Sequence, residues 1–394
     1  SKTENIAPKL RKKFKADIKV KYKFGECSFS GRVRQNGDYK DHIRLVDGGK
    51  VLRSLDVKLK SGNILGAVAF KLLIPDTRGG LNEVLGAIIA QHLGFVAPET
   101  FMLDATVNDV SASMLFQEGT EKELLERNGR REGPMFEGDE ELLWSFEEYR
   151  LLELEPLALS RMVNADWFLK GASSKAISLQ SFNLMQYAYL RYGQANQENF
   201  FTIIHPNMRK SSTFDDYYFT MLAMSGTHAL RPHNRKFYYN SFMAEFEPIY
   251  YDGDLNLGLE ITTDITGVLR SGLLEKPSQN LLANVKRLKN NQRIKQQFLD
   301  RTRLPESVSL DFFNRSLKIF GENVDWLNNR INVDKGKSTI KSARQRLVDS
   351  YLAFQKAKGV QQEVIVDLKD YNGTYSAATL TNNQKNLSNS DVAS

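Results

Sequence analysis

The dominant period of the hydrophobic pattern changes near residue 118 of this 394-residue chain, and that change restricts the folds open to it. Up to residue 118 apolar and polar residues mostly alternate, the period of two that belongs to half-buried strands. Residues 28–34 alternate and meet a turn at Asn36-Gly37. Residues 52–59 alternate again, with Leu55, Val57 and Leu59 on one face; Ser61-Gly62-Asn63 turns the chain, and 67–74 is a denser apolar strand. Leu81, Val84, Leu85, Ile88, Ile89 and Leu93 then recur at helical spacing, and Gly94 closes that helix. Residues 101–105 and 111–116 predict two more strands around Asn108-Asp109.

Beyond residue 118 the pattern is helical over 121–127, 140–154, 156–169, 178–191 and 213–225. Residues 237–239 and 248–251 are short aromatic strands that predict one hairpin. Helical spacing returns over 279–300, 307–329 and 338–358, and the Asn-, Ser- and Thr-rich end, 375–394, predicts a loose tail. The expected fold class is α+β in two lobes: a small antiparallel β-rich N-lobe with one helix, then a larger, mainly helical C-lobe. The implied division is 1–27 as a basic arm and edge strand, 28–118 as the N-lobe, 119–358 as the C-lobe and 359–394 as a tail.

Charge is unevenly spread. Residues 1–25 hold nine basic and two acidic groups, which is the whole net charge of +7, and the remaining body is neutral. Lys9, Arg11, Lys12, Lys13 and Lys15 form a basic cluster suited to an anionic membrane surface or an acidic polymer. Lysines from Lys19 to Lys23 alternate with apolar residues, which also fits an edge strand guarded by charge. No nucleic-acid reading module accompanies the cluster, so no specific nucleic acid is expected. The one cysteine, Cys27, excludes an internal disulfide and any cysteine-built zinc or iron–sulfur site. Hydrophobic residues at 41% and charged residues at 26% exclude wholesale disorder and collagen-like structure. Apolar runs all break well short of a bilayer span. No signal peptide is visible, and the location is open, with the cytoplasm slightly favoured and membrane association through a missing upstream segment as the alternative.

Three stretches could carry chemistry. Val68-Ala69-Phe70-Lys71 puts a lysine inside an apolar strand, where it either snorkels out or is held against an anion. Glu83 follows on a helix, on the stripe of small residues with Gly86, Ala87 and Ala90. The stretch from Thr227 to Tyr239 is dense in His, Asn and Arg around Pro232. In the third, from Glu247 to Asn256, an apolar strand ends on Asp252-Gly253-Asp254. Two carboxylates so placed can bracket a hard cation, although turn chemistry explains many such pairs. Trp144, Trp167 and Trp326 lie on apolar stripes and read as core, and Asp215-Asp216 opens a helix where acids suit the dipole.

In combination these stretches resemble the CotH family of atypical kinases, related to spore-coat protein kinases, over residues 28–260. The resemblance rests on Ala69-Phe70-Lys71-Leu72-Leu73, Asn82-Glu83, His92-Leu93-Gly94, Val96-Ala97-Pro98-Glu99-Thr100, Leu115-Phe116-Gln117-Glu118, His233-Asn234 with Phe237-Tyr238-Tyr239, and Ile249-Tyr250-Tyr251-Asp252-Gly253-Asp254. It implies a bilobal protein-kinase-like fold that binds ATP and Mg²⁺, with Mn²⁺ as a substitute. Lys71 would then hold the phosphates, Glu83 would orient it, and the backbone through Gln117 and Glu118 would meet the adenine. Asn234, Asp252 and Asp254 would bind the metal, and the γ-phosphate would pass to a protein Ser/Thr or a glycan hydroxyl.

The chain departs from the family pattern where a catalytic Asp is expected, because Ala229 stands there. His228 is the adjacent candidate base, with His233 and Asp254 as further ones. No glycine-rich phosphate loop is present, and Asn36-Gly37-Asp38-Tyr39-Lys40 is either its substitute or an ordinary hairpin turn. Two other functions follow from the same residues. One is a catalytically impaired nucleotide-binding pseudokinase or scaffold, because of Ala229. The other is a nucleotide-sugar glycosyltransferase using Asp252-Gly253-Asp254, which the antiparallel meander argues against.

Overall fold

A computed structural model describes residues 6, 12–37, 40–139, 158–194, 212–261, 275–331, 364–369 and 375–380. Its N-terminal part is built on strands β1 (Phe14–Tyr22), β2 (Gly25–Gln35), β5 (Leu55–Leu59), β6 (Ala69–Leu73), β7 (Thr100–Val107) and β8 (Val110–Glu118). They form one antiparallel sheet in the order β1-β2-β5-β6-β8-β7. β1 lies at one end of the sheet with Lys15, Lys19 and Lys21 exposed and Ile18, Val20 and Tyr22 turned partly inward, the charge-guarded edge that the alternation predicts. Lys9 and Arg11 of the basic cluster lie outside the described residues.

The expected strand over 52–59 is two strands. β3 (Ile43–Val46) and β4 (Lys50–Arg53) make a separate hairpin. Ser54 breaks the run: it is buried, its N–H donates to the His42 carbonyl at 3.0 Å, and its Oγ accepts from the Ile74 N–H at 3.0 Å. A side chain that serves the backbone of a neighbouring segment ends the pairing there.

Helix α1 (Leu81–His92) crosses from the sheet to the other lobe. Residues 83 to 90 are buried without exception, so this helix has almost no solvent face and is packed on both sides. Its small residues serve that burial. A side chain on Gly86 would overlap Leu255, and one on Gly226 or Gly253 would crowd the same leucine. Leu255 therefore sits in a socket lined by three glycines, which seats the segment after Asp254 on α1.

The C-terminal part holds α2 (Lys122–Arg127), α3 (Ala165–Phe168), α4 (Ala172–Gln194), α5 (Ser212–Ala223), α6 (Gln279–Leu288), α7 (Gln292–Thr302) and α8 (Glu306–Arg330). It also holds a four-stranded antiparallel sheet, β10-β9-β11-β12, made of β9 (Met135–Asp139), β10 (Leu159–Met162), β11 (Lys236–Asn240) and β12 (Glu245–Ile249). The aromatic hairpin is there, as β11 and β12, but two helix expectations are corrected. Residues 159–162 are a strand because β9 offers them an edge, and Asn164 fixes the junction by accepting from the Met135 N–H at 2.7 Å. Residues 279–300 are two helices because Asn291 caps the second, accepting from the Arg293 and Ile294 N–H groups. The helices expected over 140–154 and 338–358, with Trp144, lie outside the described residues. In the expected tail, β13 (Val364–Lys369) pairs with β14 (Tyr375–Leu380).

The architecture is thus α+β and bilobal, a small antiparallel sheet with one helix followed by a larger, mainly helical lobe. The lobes are tied closely. Val96 and Ile249 form a parallel bridge, the Tyr250 N–H donates to the Val96 carbonyl at 2.7 Å, and the Leu257 N–H donates to Asn82 Oδ1 at 3.0 Å. Arg301 pairs with Glu99 at 2.6 Å.

Candidate functional site

The site forms where β6, the turn before α1 and the end of β12 meet. Lys71 occupies the middle of β6, between the buried Phe70 and the half-buried Leu72. The turn Pro75–Arg78 follows, and Gly79 and Gly80, both at positive φ, let the chain reverse into α1. That reversal aims Arg78 inward, where it is buried. From the other side β12 delivers Tyr250 and Tyr251. Asp252 and Asp254 both adopt positive φ around Gly253, at 48° and 46°, which Asp tolerates better than most residues.

Tyr251 is the hub. Its hydroxyl meets the Lys71 ammonium in a short contact and the Arg78 guanidinium at 3.4 Å. Lys71 Nζ stands 4.6 Å, Arg78 Cζ 5.3 Å and Lys236 Nζ 4.1 Å from the centre of its ring. All three distances lie in the range of cation–π attraction. Burial alone would raise the Tyr251 hydroxyl, but Lys71, Arg78 and Lys236 together hold it at about 7. Burial lowers the Lys71 ammonium; Tyr251 works against this and the charges of Arg78 and Lys236 reinforce it. Lys236 is also buried, yet Glu137 at 2.7 Å and the Tyr251 hydroxyl keep its ammonium above the usual lysine value.

Arg78 passes the network on. Its guanidinium is in direct contact with Asp252, whose other oxygen is 3.6 Å from His228 Nε2. His228 is drawn down to about 4, first by burial and then by the charges of Arg231 and Arg78, so its imidazole is neutral at pH 7. The His228 carbonyl accepts from Asn234 Nδ2 at 3.2 Å. Lys71, Asp252, His228 and Asn234 therefore belong to one contiguous cluster, linked through Tyr251 and Arg78. Asp254 is exposed on the far side of Gly253, close enough for its charge to act on His228 and Glu83.

Glu83 is placed differently from the sequence expectation. Its fully buried carboxylate accepts from Gln117 Nε2 at 2.7 Å and from the Tyr250 hydroxyl at 2.5 Å, and burial raises it above the usual carboxylate range. Among the described residues it makes no ion pair with Lys71, because Tyr251 occupies the lysine. Gln117 faces Glu83, and Glu118 turns away to Arg127 at 3.1 Å and to the Glu99 N–H at 3.0 Å. Of the turn at 36–40, Asp38 and Tyr39 lie outside the described residues. Arg235 is structural: buried, it donates to the Leu230 carbonyl at 2.7 Å and covers the Tyr218 ring.

Magnesium takes oxygen donors, usually one or two carboxylates plus phosphate oxygens, and Asn234, Asp252 and Asp254 are donors of that kind. In the described arrangement, however, the guanidinium of Arg78 is on Asp252, and no cluster of three His, Cys, Asp or Glu residues that could hold a metal exists among the described residues. Arg78, Lys236 and Tyr251 escape sequence reasoning. Arg78 had one usable signal, its place just before the Gly79-Gly80 pair that opens a helix; Lys236 sits inside a motif stretch without belonging to a pattern, and Tyr251 belongs to the aromatic-Asp-x-Asp motif but takes no role from it.

No protein-family model and no curated protein matches the chain. Among solved structures it is similar to the crystal structure of a Helicobacter pylori proinflammatory kinase, CtkA, at 13% identity and a TM-score of 0.32, over 71% of this chain and 94% of that one.

Proposed function

We propose that the cluster around Lys71, Arg78 and Asp252 takes ATP and that the chain is a kinase-like phosphotransferase acting on a protein Ser/Thr or a glycan hydroxyl. One observation carries this reading: residues remote in sequence, Lys71, Tyr251, Arg78, Asp252, His228 and Asn234, form an unbroken run of contacts. Phosphoryl transfer asks little covalent chemistry of the protein and depends on positioning and on cations near the phosphates. Lys71 and Arg78 supply the cations. Glu83 acts at one remove: through Tyr250 it fixes the end of β12, and through Gln117 it fixes β8, which runs between β6 and β7. Neutral His228 can accept the proton of an acceptor hydroxyl. Asn234, Asp252 and Asp254 would hold Mg²⁺, or Mn²⁺, which when bound neutralises phosphate charge. The motifs around Lys71, Asn234 and Asp252 support a relation to CotH-like atypical kinases, and the lysine-faced β1 and basic arm suit an acidic polymer or an anionic membrane.

A pseudokinase is the second reading, favoured by Ala229 and by the engagement of Asp252 with Arg78. The test is incubation with labelled ATP, Mg²⁺ and protein or glycan acceptors, alongside thermal shifts with ATP/Mg²⁺ and with UDP-sugar/Mn²⁺. Transfer that is lost in Asp252→Ala is expected. An ATP shift without transfer would favour the pseudokinase, and wild-type transfer by Asp252→Ala would refute the role of Asp252.

A further inference from the structure

The three cations around Tyr251 are not matched by three anions. Arg78 is paired with Asp252 and Lys236 with Glu137, but Lys71 has no carboxylate partner among the described residues; it has the Tyr251 hydroxyl. Held at about 7, the Tyr251 hydroxyl is only a partial counter-charge at pH 7, and a buried ammonium without a full counter-charge is costly. Arg78 adds a second deficit, because its Nε is buried and finds no acceptor. An unmatched positive charge and an unused guanidinium donor face the same ring. What both lack is a multivalent anion with several acceptor oxygens, which is the chemistry of a phosphate chain rather than of a single carboxylate.

Tyr251 is also placed to leave. The residue before it is anchored twice, by the Tyr250 N–H on the Val96 carbonyl and by the Tyr250 hydroxyl on Glu83. Tyr251 itself lies beyond the end of β12, immediately before the Asp252-Gly253-Asp254 turn with its two positive-φ aspartates. The anchored strand thus stops one residue short of the ring, and rotation of that one side chain need not disturb β12.

We propose that Lys71, Arg78 and Lys236 form a single polyphosphate subsite and that the Tyr251 side chain fills it as an internal stand-in, so that a phosphate chain binds only when the ring moves out. This rests on the reading of the Lys71–Asp252 cluster as an ATP site, and it adds two things to that reading. Arg78 and Lys236, one from each lobe, join Lys71 as phosphate-binding cations. The chain also carries its own competitor for them.

Inorganic tripolyphosphate separates this proposal from the nucleotide reading, because it has the anion without the base. Calorimetric titration of the full 394-residue chain with tripolyphosphate, and separately with ATP, compares wild type, Tyr251→Phe, Tyr251→Ala and Tyr251→Ala/Lys236→Met. Removing an internal competitor bonded to two charged groups should tighten tripolyphosphate binding by about tenfold or more in Tyr251→Ala. Tyr251→Phe keeps the ring volume and protects against a folding failure, and it should bind more tightly than wild type by a smaller factor. Adding Lys236→Met should reverse most of the gain. Equal tripolyphosphate affinity in wild type and in both Tyr251 variants would overturn the proposal, as would indifference to Lys236→Met. Tighter tripolyphosphate binding in the Tyr251 variants with no binding of ATP would uphold the subsite and remove the nucleotide reading instead.

Discussion

Glu137→Gln should be among the most destabilising single substitutions in the site, although Glu137 touches neither Lys71 nor Asp252. The residue lies on β9 with its side chain 15% exposed, 2.7 Å from an ammonium whose own side chain is 9% exposed. Burial alone would raise its carboxyl, but Lys236 and then Arg161 outweigh that and hold it at about 2 rather than 4.5. At about 1.4 kcal/mol per pH unit, that fall corresponds to roughly 3 kcal/mol of stability at pH 7. Breaking a buried pair on one side costs about 3–5 kcal/mol by a separate route, because the other charge is left stranded. Glutamine keeps the shape and removes the charge, so Lys236 would remain buried against Tyr251 without its counter-ion. Urea unfolding at pH 7 should show a loss of about 3 kcal/mol with an unchanged slope. The double variant Glu137→Gln/Lys236→Met should recover much of it, since no charge is then stranded. The sign with pH is fixed as well: a carboxyl held below its unfolded value stabilises above pH 4.5 and loses that contribution as pH falls through 2. A loss under about 1 kcal/mol, or a double variant no more stable than the single one, would refute the claim that this pair sustains the buried lysine.

Three further outcomes are expected. His228, held at about 4, resists protonation in the folded state, so stability should decline as pH falls from 6.5 toward 4. His228→Asn should flatten that decline in a pH series of urea midpoints, and unchanged turnover in the same variant would remove His228 as the base. Gly86→Ala would drive a methyl group into Leu255, and overpacking of about 1–3 kcal/mol should exceed the helix preference for alanine and lower the melting temperature. Lys71→Met removes the ammonium that lacks a carboxylate partner, so the fold should keep or gain stability by thermal melting while ATP-induced stabilisation is lost.

The local level was readable from residue order because the forces there act between near neighbours. Alternation placed β1 with its lysines outward, and Leu81, Val84, Leu85, Ile88 and Ile89 placed α1, since burial of one face depends only on spacing along the chain. The motif stretches around Lys71, Asn234 and Asp252 were likewise visible as dense polar groups at the ends of apolar strands. Where a distant partner competed, local pattern failed. Residues 159–162 have a helical look but are taken by the free edge of β9, and Ser54 interrupts an alternating run because His42 and Ile74 claim its polar groups.

Charge pairing shows the same division more sharply. Residue order alone determined the two-lobed α+β layout, the basic N-terminal arm and the polar chemistry of three stretches, because composition and period are properties of the chain. Which carboxylate meets which cation was decided only by folding. Lys71 and Glu83 are natural partners on paper, yet Glu83 is satisfied by Gln117 and Tyr250, Asp252 by Arg78, and Lys71 by a tyrosine hydroxyl. Interactions between charges depend on separation in space and on burial, and neither is written in the spacing along a chain.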